Sequence, residues 1–477
     1  MKEKVSPRRR DEGADSNLVT FPGTAAAREN LSAVKKNRLS STAAKVKPAE
    51  IDADSKASKN SKPSKAPTAR FRLMEAFRSQ PVLSYYLLLV VTLLLFIIGF
   101  ILVFSASTIG ALDEDVNPFL AFSKRALIYV VSLIILLIAS RLPLVFFRKW
   151  ALIFLAAAWI MQVMVFIPGF HGVGAGGNTN WIVIPGINLT LQPSEFIKLA
   201  LVVYLGRALS DSQLRASGRV RDWLVYVGLP SVGSLALVMA GRDLGTAMVM
   251  AALILVAIFI AGIPWKYLAS ILVVGLFALS AAVMSSPNRR RRVFGFADAS
   301  TVDPTGIGYQ RQHGLWSLAT GGLTGVGPGA SREKWSYLPE ADTDYIFAIL
   351  GEEFGLLGTF LTLGLFTVMC LTLLRIMNRA EDDFVTYTVA GIIGWIFSQT
   401  IINIGAVVGL LPIIGVPLPL ISSGGSSLLA VMGALGVAMC FARHEPGARQ
   451  ALQARAKPLR RSLAVLGAGR KREDKNR

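Results

Sequence analysis

The amino-acid sequence predicts an all-α polytopic membrane protein with about ten transmembrane helices. Of its 477 residues, 53% are hydrophobic and 17% are charged, and the mean hydropathy is +0.51. These values are too apolar for a soluble chain of this length. The apolar runs lack the alternating polarity of a membrane β-barrel. Because an open sheet edge cannot be satisfied in lipid, we expect every span to be helical.

Ten apolar runs qualify as spans, since about 20 mostly apolar residues cross roughly 30 Å of hydrocarbon. The run 126–140 is short, and the run 194–211 contains Glu195 and Lys198. The predicted spans are 83–105, 126–140, 150–168, 194–211, 222–240, 245–262, 265–285, 345–374, 384–409 and 420–442.

The charge distribution divides the chain and orients it. The net charge is +20, and residues 1–79 carry 18 basic and 9 acidic side chains while residues 443–477 carry 11 and 3. We predict a disordered basic cytoplasmic tail at 1–79, a transmembrane domain at 80–443 and a basic cytoplasmic tail at 444–477. Basic tails next to membrane spans are attracted to the anionic lipids of the cytoplasmic leaflet. The positive charge therefore does not call for nucleic acid as a partner.

Basic residues on the expected outer face need an explanation other than topology. With both termini in the cytoplasm, Arg242 and the run Arg289–Arg292 fall outside, the latter in a large extracytoplasmic loop, 286–344, between the seventh and eighth spans. Such a cluster favours an anionic ligand presented at the outer face. Contact of Arg289–Arg292 with outer-leaflet phosphates is the alternative. It explains Arg242 poorly, because Gly241-Arg242-Asp243 interrupts two adjacent apolar helices.

Four segments near that face could carry chemistry. The first joins the glycine-rich run 172–177 and Trp181 to Gln192–Lys198, where Glu195 and Lys198 form either an internal ion pair or a ligand contact. The second is Arg242-Asp243, which is either a structural salt bridge or a functional pair. The third and fourth are the acidic loop before the eighth span and the Gly-, Pro- and Ser-rich region around the ninth and tenth spans.

The acidic loop places Glu340, Asp342 and Asp344 just before a long apolar helix. Asp342 or Asp344 could be a plain N-cap. A carboxylate at a lipid–water boundary can also have a raised pKa and act as a general base. In the fourth segment, Asn403 precedes clustered Gly and Pro residues and the run 422–427, a composition typical of broken backbone that lines a cavity.

Six motifs, in this order, resemble the SEDS family, whose members include FtsW, RodA and SpoVE. The resemblance covers about residues 80–443. Two positions depart from it: Asp342 replaces a usual histidine, and Asn180 replaces a usual basic residue. The motifs are Gln192-Pro193-Ser194-Glu195, Gly241-Arg242-Asp243-Leu244-Gly245-Thr246, Gly308-Tyr309-Gln310, Leu338-Pro339-Glu340 with Thr343-Asp344-Tyr345-Ile346-Phe347, Asn403-Ile404-Gly405 and Ser423-Gly424-Gly425-Ser426-Ser427.

The resemblance implies an inverting peptidoglycan glycosyltransferase that polymerises lipid II at the outer face of the bacterial plasma membrane, with a class B penicillin-binding protein (an FtsI-like transpeptidase) and other divisome proteins as partners. Asp344 matches the family's essential aspartate and would be the catalytic base. Arg242, together with either Arg289–Arg292 or Lys334, would stabilise the leaving pyrophosphate. The remaining candidate substrate-binding residues are Asp243, Lys198, Glu195, Trp181, Gln310, Asn403, Ser423 and Ser426.

No organic cofactor is expected. Pyrophosphate transfer leaves room for a divalent cation, Mg²⁺ or Mn²⁺, but no His/Asp cluster in the sequence specifies a metal held by the protein. Cys370 and Cys440 both lie in apolar runs, which excludes a disulfide framework and a cysteine-based metal site.

Three alternatives stay open at the level of sequence. One is an elongation-specific paralogue like RodA, although the regions Leu338–Phe347 and Ser422–Ser427 and the long tails favour a division-specific member like FtsW. Another is a lipid II flippase or transporter, which would need a polar route to both faces, whereas the selected residues cluster outside. The third is a non-catalytic scaffold, in which Asp344 could be replaced without loss of function.

Overall fold

The structure is a computed structural model that describes residues 80, 82–113, 117–167, 172–175, 178–184, 189–297, 307–448 and 450–452. The predicted tail at 1–79 lies outside the described residues, as does 453–477 of the predicted C-terminal tail. Within the predicted loop 286–344, residues 298–306 are likewise outside the described part.

A helix forms the main part of each of the ten predicted spans, which confirms the all-α polytopic class. Seven helices in the described part of the chain are long and apolar enough to cross a membrane. The elements are α1 Leu83–Asp113, α2 Pro118–Arg141, α3 Leu144–Met164, β1 Gly172–Ala175, β2 Asn178–Ile184, β3 Leu189–Leu191, α4 Pro193–Leu209, α5 Ser212–Ser217, α6 Val220–Ala240, α7 Leu244–Ile260, α8 Trp265–Met284, α9 Pro287–Ala297, α10 Ile307–Gly321, α11 Ile346–Arg379, α12 Asp383–Val407 and α13 Gly425–Ala442.

Several helices begin or end at residues other than those predicted from the apolar runs. The predicted span 126–140 is the apolar part of α2, which begins earlier at Pro118 and carries Arg125 on its first turns. The loop 286–344 contains two helices, α9 and α10, that are too polar to be recognised as spans. Hydropathy marks the part of a helix that meets lipid or core, and so it does not locate helical turns that extend into the polar region.

A small antiparallel sheet, which the sequence analysis did not predict, connects α3 to α4. Its strand order is β1-β2-β3, and the glycine-rich run 172–175 forms its first strand. The main-chain nitrogen of Thr179 on β2 donates to the oxygen of Gly241 at 3.1 Å. The sheet therefore rests on the turn between α6 and α7, where Arg242 and Asp243 lie.

The centre of the bundle is formed by α4, α12 and α13, whose residues are mostly buried. Helix α13 packs against α2 and α4, α7 packs against α12, and α1 packs against α11. No residue of α8 is buried. This helix stands at the edge of the bundle and leaves space between itself and the central helices.

The two ends of the bundle differ in character. One end, called here the loop end, carries the sheet, α9, α10 and the segments 322–345 and 408–424. At the opposite end, basic residues pair with acidic residues across loops, as in Arg148 with Asp382, Arg215 with Asp383 and Arg379 with Glu445. These three ion pairs fasten helices and loops together at the opposite end.

Helix α11 is broken at Gly355, whose φ of 64° and ψ of −162° are not helical. The backbone groups freed by the break are paired by the preceding segment: Val326 N donates to Glu352 O at 2.9 Å, and Leu356 N donates to Gly322 O at 2.9 Å. In lipid such a break is tolerated only where protein satisfies it. A Cβ added at Gly355 would lie 2.4 Å from the main-chain nitrogen of Gly325, so glycine is required there.

Replacing this glycine should destabilise the protein. We expect Gly355→Ala to lower the free energy of unfolding by about 2 kcal/mol, because it combines backbone strain with a steric clash. Gly364→Ala, in the same helix with open space around the glycine, is the matched control and should be neutral or slightly stabilising. Thermal unfolding in detergent measures both variants. Equal unfolding temperatures for the two would contradict the role given to Gly355.

Candidate functional site

The loop 338–345 forms a tight turn that presents Asp344 ahead of α11. Glu340 has a positive φ of 56°, and its main-chain oxygen accepts hydrogen bonds from Thr343 N at 3.2 Å and Tyr345 N at 3.1 Å. The Tyr345 side chain is buried, with 1% of its surface exposed. This buried ring anchors the end of the turn, so that the adjacent Asp344 has a fixed position.

Motifs that are distant in sequence hold this turn by its main chain. Nδ2 of Asn403 on α12 donates to Asp344 O at 2.8 Å and also to Val416 O at 2.8 Å. Oγ of Ser422 donates to Thr343 O at 2.6 Å, and Ser423 N donates to Asp342 O at 2.9 Å. The predicted candidates Asn403 and Ser423 therefore hold the main chain of this turn, Asn403 at Asp344 and Ser423 at Asp342.

The Asp344 carboxylate is partly exposed and lies against the segment 412–420. A Cβ added at Gly415, which has a φ of 79°, would stand 3.4 Å from Asp344 Oδ2. Burial raises the pKa of Asp344 to about 7, with Glu340 adding to the rise and Arg292 opposing it. Asp243 and Asp342 add smaller upward contributions. A carboxylate with this pKa can accept a proton near neutral pH.

Beside this segment lies a cavity of about 1020 Å³. Arg242, Arg289, Arg291 and Arg292 line one part of it, and apolar side chains of α6, α7 and α8 line much of the rest, with Pro412, Ile413 and Ile414. Ile414 of the cavity wall directly precedes Gly415, the glycine that lies against the Asp344 carboxylate. An anionic group attached to an apolar chain fits a pocket of this composition.

The arginines are arranged by the turn between α6 and α7 and by α9. Arg242 has a positive φ of 65°, and its main-chain oxygen accepts a hydrogen bond from Arg289 Nη2 at 2.7 Å. Arg289 also donates through Nη1 to Ala282 O at 3.0 Å. Arg289 thereby ties α9 to both walls of the cavity, and the exposed side chain of Arg242 is left facing it.

Asp243 serves as a structural junction in this arrangement. Its Oδ1 accepts from Thr246 N at 2.9 Å, capping α7, and its Oδ2 accepts from Gln192 Nε2 at 2.9 Å. The main-chain nitrogen of Gln192 donates to Ser426 Oγ at 2.8 Å. The candidates Asp243 and Ser426 thus connect α7, α4 and α13 next to the site.

Two other candidates lie on the elements that surround the loop. Trp181 is a half-buried residue of β2, opposite Val173 of β1. Gln310 on α10 donates through Nε2 to Pro339 O at 3.1 Å. Gln310 therefore holds the start of the acidic loop, and Trp181 is part of the sheet that rests on the α6–α7 turn.

The structure separates Glu195 and Lys198 from the cavity. Both are 1% exposed and form an ion pair of 2.7 Å inside the bundle. Lys198 Nζ also donates to Gln399 Oε1 at 2.9 Å, and Gln399 Nε2 donates to Pro417 O at 2.8 Å. This is the internal ion pair considered from sequence. Through Gln399, the ion pair is connected to the broken segment 412–420 at Pro417.

Lys334 is also engaged away from the cavity. Its Nζ lies 2.8 Å from Glu353 Oε1 and donates to Ser105 Oγ at 2.8 Å and Gly329 O at 2.6 Å. Glu352 accepts from Ser331 Oγ at 2.5 Å and from Arg332 N at 2.9 Å. These buried contacts fasten the loop 329–334 to the break in α11 and to α1.

Sequence reasoning missed Gly415 and Gln399 as parts of the site. Gly415 lies in a run of Gly and Pro residues that was identified only as broken backbone. Gln399 is a single polar residue in an apolar helix, and its spacing of four from Asn403 places both amides on one face of α12. That spacing is the signal that could have identified Gln399.

The fold and site define a multi-pass membrane protein in which one desolvated carboxylate adjoins a cavity lined by arginines and apolar side chains. The family described as "Cell cycle protein", grouping FtsW, RodA and SpoVE, matches residues 85–446. The chain belongs to this family, which confirms the resemblance drawn from the six motifs.

The relatives agree with this assignment. The chain is 36% identical over 359 residues to stage V sporulation protein E of Bacillus subtilis, covering 75% of this chain and 96% of the relative. It is 35% identical over 379 residues to the probable peptidoglycan glycosyltransferase FtsW of Mycobacterium tuberculosis, covering 80% and 71%. A chain from a solved peptidoglycan synthase complex that coordinates polymerisation and crosslinking matches with 26% identity and a TM-score of 0.60, covering 75% and 97%.

We expect the buried ion pair of Glu195 and Lys198 to stabilise the fold rather than to contact a ligand. Lys198→Met leaves the Glu195 charge uncompensated in the bundle and should lower the free energy of unfolding by about 3 kcal/mol. The double variant Glu195→Leu/Lys198→Met removes both charges and should recover most of that loss. Thermal unfolding of the three proteins measures the effect. An unchanged unfolding temperature for Lys198→Met would contradict the structural role.

Proposed function

We propose that this chain is a peptidoglycan glycosyltransferase that polymerises lipid II into glycan strands at the outer face of the bacterial plasma membrane during septal wall synthesis. The observation that carries the proposal is Asp344, a carboxylate with a pKa of about 7 beside a cavity lined by Arg242, Arg289, Arg291 and Arg292. A general base and a pyrophosphate-binding surface are the two groups that the reaction requires.

In the proposed reaction Asp344 removes the proton from the 4-hydroxyl of the acceptor N-acetylglucosamine. The resulting oxygen attacks the anomeric carbon of the donor N-acetylmuramic acid, and the bond from that carbon to the pyrophosphate oxygen breaks. Lipid pyrophosphate leaves with inversion at the anomeric carbon. Because pyrophosphate is a good leaving group, no second carboxylate is needed as a general acid, in contrast to glycosidases.

The arginines stabilise charge as it develops on the leaving group. Arg242 and Arg292 line the cavity, and charge-assisted hydrogen bonds from guanidinium to phosphate oxygens are among the stronger ones in proteins. The apolar wall contributed by α7 and α8, including Met248 and Leu279, suits the lipid chain that is attached to the pyrophosphate. The unburied position of α8 leaves a route for that chain from the surrounding lipid.

The described residues place arginines, and no cluster of metal ligands, at the cavity. Among the described residues, no group of three or more His, Cys, Asp and Glu side chains could hold a metal ion, and the cavity walls carry arginines instead. The mechanism therefore assigns charge stabilisation to arginine and routes no step through a metal.

A crosslinking partner follows from the same assignment. A relative is named a probable peptidoglycan glycosyltransferase FtsW, and a structural neighbour belongs to a complex that coordinates polymerisation and crosslinking. We propose a class B penicillin-binding protein as partner and the division septum as location, within the wider division machinery.

Loss of the Asp344 carboxylate should greatly slow polymerisation. In lipid II polymerisation by the purified full-length chain with its cognate class B synthase, Asp344→Asn should reduce the rate by about 100-fold or more, as expected for a general base. The wild-type rate should fall as pH drops through about 7, because protonation removes the base.

Asp383→Asn, a partly exposed carboxylate at the opposite end, is the control and should retain wild-type rates. Equal rates for wild type and Asp344→Asn would contradict the assignment of the base. Absence of polymer with every variant, including wild type, would favour a flippase or scaffold.

The cation of Arg292 should have two separable effects. Arg292→Gln removes charge stabilisation from the leaving pyrophosphate, and we expect kcat to fall by roughly 10- to 100-fold. Arg292 also lowers the pKa of Asp344, so its loss should move the acidic limb of the pH profile to higher pH. Rate measurements across pH test both effects. A fall in kcat with an unmoved pH profile would contradict the electrostatic contact with Asp344.

A further inference from the structure

An ion pair joins the acidic loop to α2. Arg125 Nη1 on α2 lies 2.9 Å from Asp342 Oδ2, and the two side chains are 37% and 27% exposed. The main-chain oxygen of Asp342 accepts a hydrogen bond from Ser423 N at 2.9 Å. Asp342 is thus held by its side chain to α2 and by its main chain to the segment that leads into α13.

This pair completes the attachment of the loop around Asp344. Asn403 of α12 holds the main chain at Asp344 itself, and Ser422 holds it at Thr343. Gln310 of α10 holds it at Pro339. Arg125 of α2 holds the loop at Asp342, two residues before Asp344. This contact is made by the side chain of Asp342, whereas the other contacts are made by the main chain of the loop.

The pair also neutralises one of the charges that surround Asp344. Glu340 and Asp342 face it from its own loop, Asp243 from the α6–α7 turn, and Arg292 from α9. Asp243 is bonded by Gln192 and Thr246, and Glu340 by Thr343, all neutral donors. Asp342, by contrast, is paired with a cation.

We propose that Arg125 is a positioning residue for glycosyl transfer: its ion pair with Asp342 fastens the loop that carries Asp344 to α2 and neutralises the carboxylate two residues away. The inference rests on the proposed function, since it concerns how the base of that reaction is held. Arg125 acts through Asp342 and is not a catalytic residue.

Partial exposure of the pair predicts a local effect. Half-exposed ion pairs add little to global stability, so Arg125→Gln should fold with an unchanged unfolding temperature. In this variant, however, the loop 338–345 loses its ion pair to α2, and the negative charge of Asp342 is no longer neutralised. We expect kcat to fall roughly fivefold, and we expect the acidic limb of the pH profile to move to higher pH because a nearby negative charge raises a carboxyl pKa.

The reverse substitution separates charge from attachment. Asp342→Asn removes the negative charge, so the acidic limb should move to lower pH. The double variant Arg125→Gln/Asp342→Asn removes the uncompensated charge and should lose the upward shift seen in Arg125→Gln. Full-length protein is assayed for lipid II polymerisation across pH in each case. Arg215→Gln, which breaks an ion pair of similar arginine exposure at the opposite end, is the matched control and should behave as wild type.

Hydrogen–deuterium exchange supplies a readout that does not depend on activity. Amides of 338–345 should exchange several-fold faster in Arg125→Gln than in wild type or Arg215→Gln. Unchanged exchange in this loop, or an equal upward pH shift in the single and double variants, would overturn the proposal. If wild type makes no polymer while loop exchange still rises in Arg125→Gln, the attachment stands and the proposed function fails.

Discussion

One buried amide joins the parts of the site. Nδ2 of Asn403 donates to the main-chain oxygens of both Asp344 and Val416 at 2.8 Å, and the residue is 3% exposed. Both acceptors belong to irregular backbone, which cannot face lipid and must be paired by protein. The donor, Asn403, lies on the regular helix α12. The loop 338–345 and the broken segment 412–420 are therefore both held in place by the same helix. Gln399, one turn earlier on α12, supports the same segment at Pro417.

The electrostatics of the site follow from this geometry. Partial burial raises the pKa of Asp344 to about 7 and at the same time strengthens any contact between the cavity arginines and a phosphate, because both effects arise from reduced solvation. Arg292 connects the two, since it lines the cavity and also lowers the pKa of Asp344. Binding of an anion beside Arg292 would offset its charge and make Asp344 a stronger base when substrate is present.

Hydropathy and motif order were sufficient to predict the ten helices and the family. They also selected Asp344, whose role as the base stays a prediction. The ion-pair partners of charged side chains were harder to predict. A charged residue near the end of a span gives the same sequence pattern whether its side chain faces a cavity or a buried partner. Lys198 forms with Glu195 the internal ion pair that was one of the two sequence-based alternatives, whereas the pairing of Lys334 with Glu353 was not predicted. The glycine-rich segment 172–175 forms a strand because it pairs with the adjacent strand β2, whereas glycine itself disfavours strands and gives no strand signal. The contact of Arg125 with Asp342 joins residues that no local sequence pattern connects.

We infer that the Asp344 carboxylate is partly desolvated and ready to accept a proton near neutral pH. Infrared difference spectroscopy of the full-length protein, wild type minus Asp344→Asn, can follow the protonated carboxyl band of this one residue across pH. We expect a titration midpoint near pH 7. A midpoint near the ordinary aspartate value of 3.8 would show a solvated carboxylate and would contradict this inference.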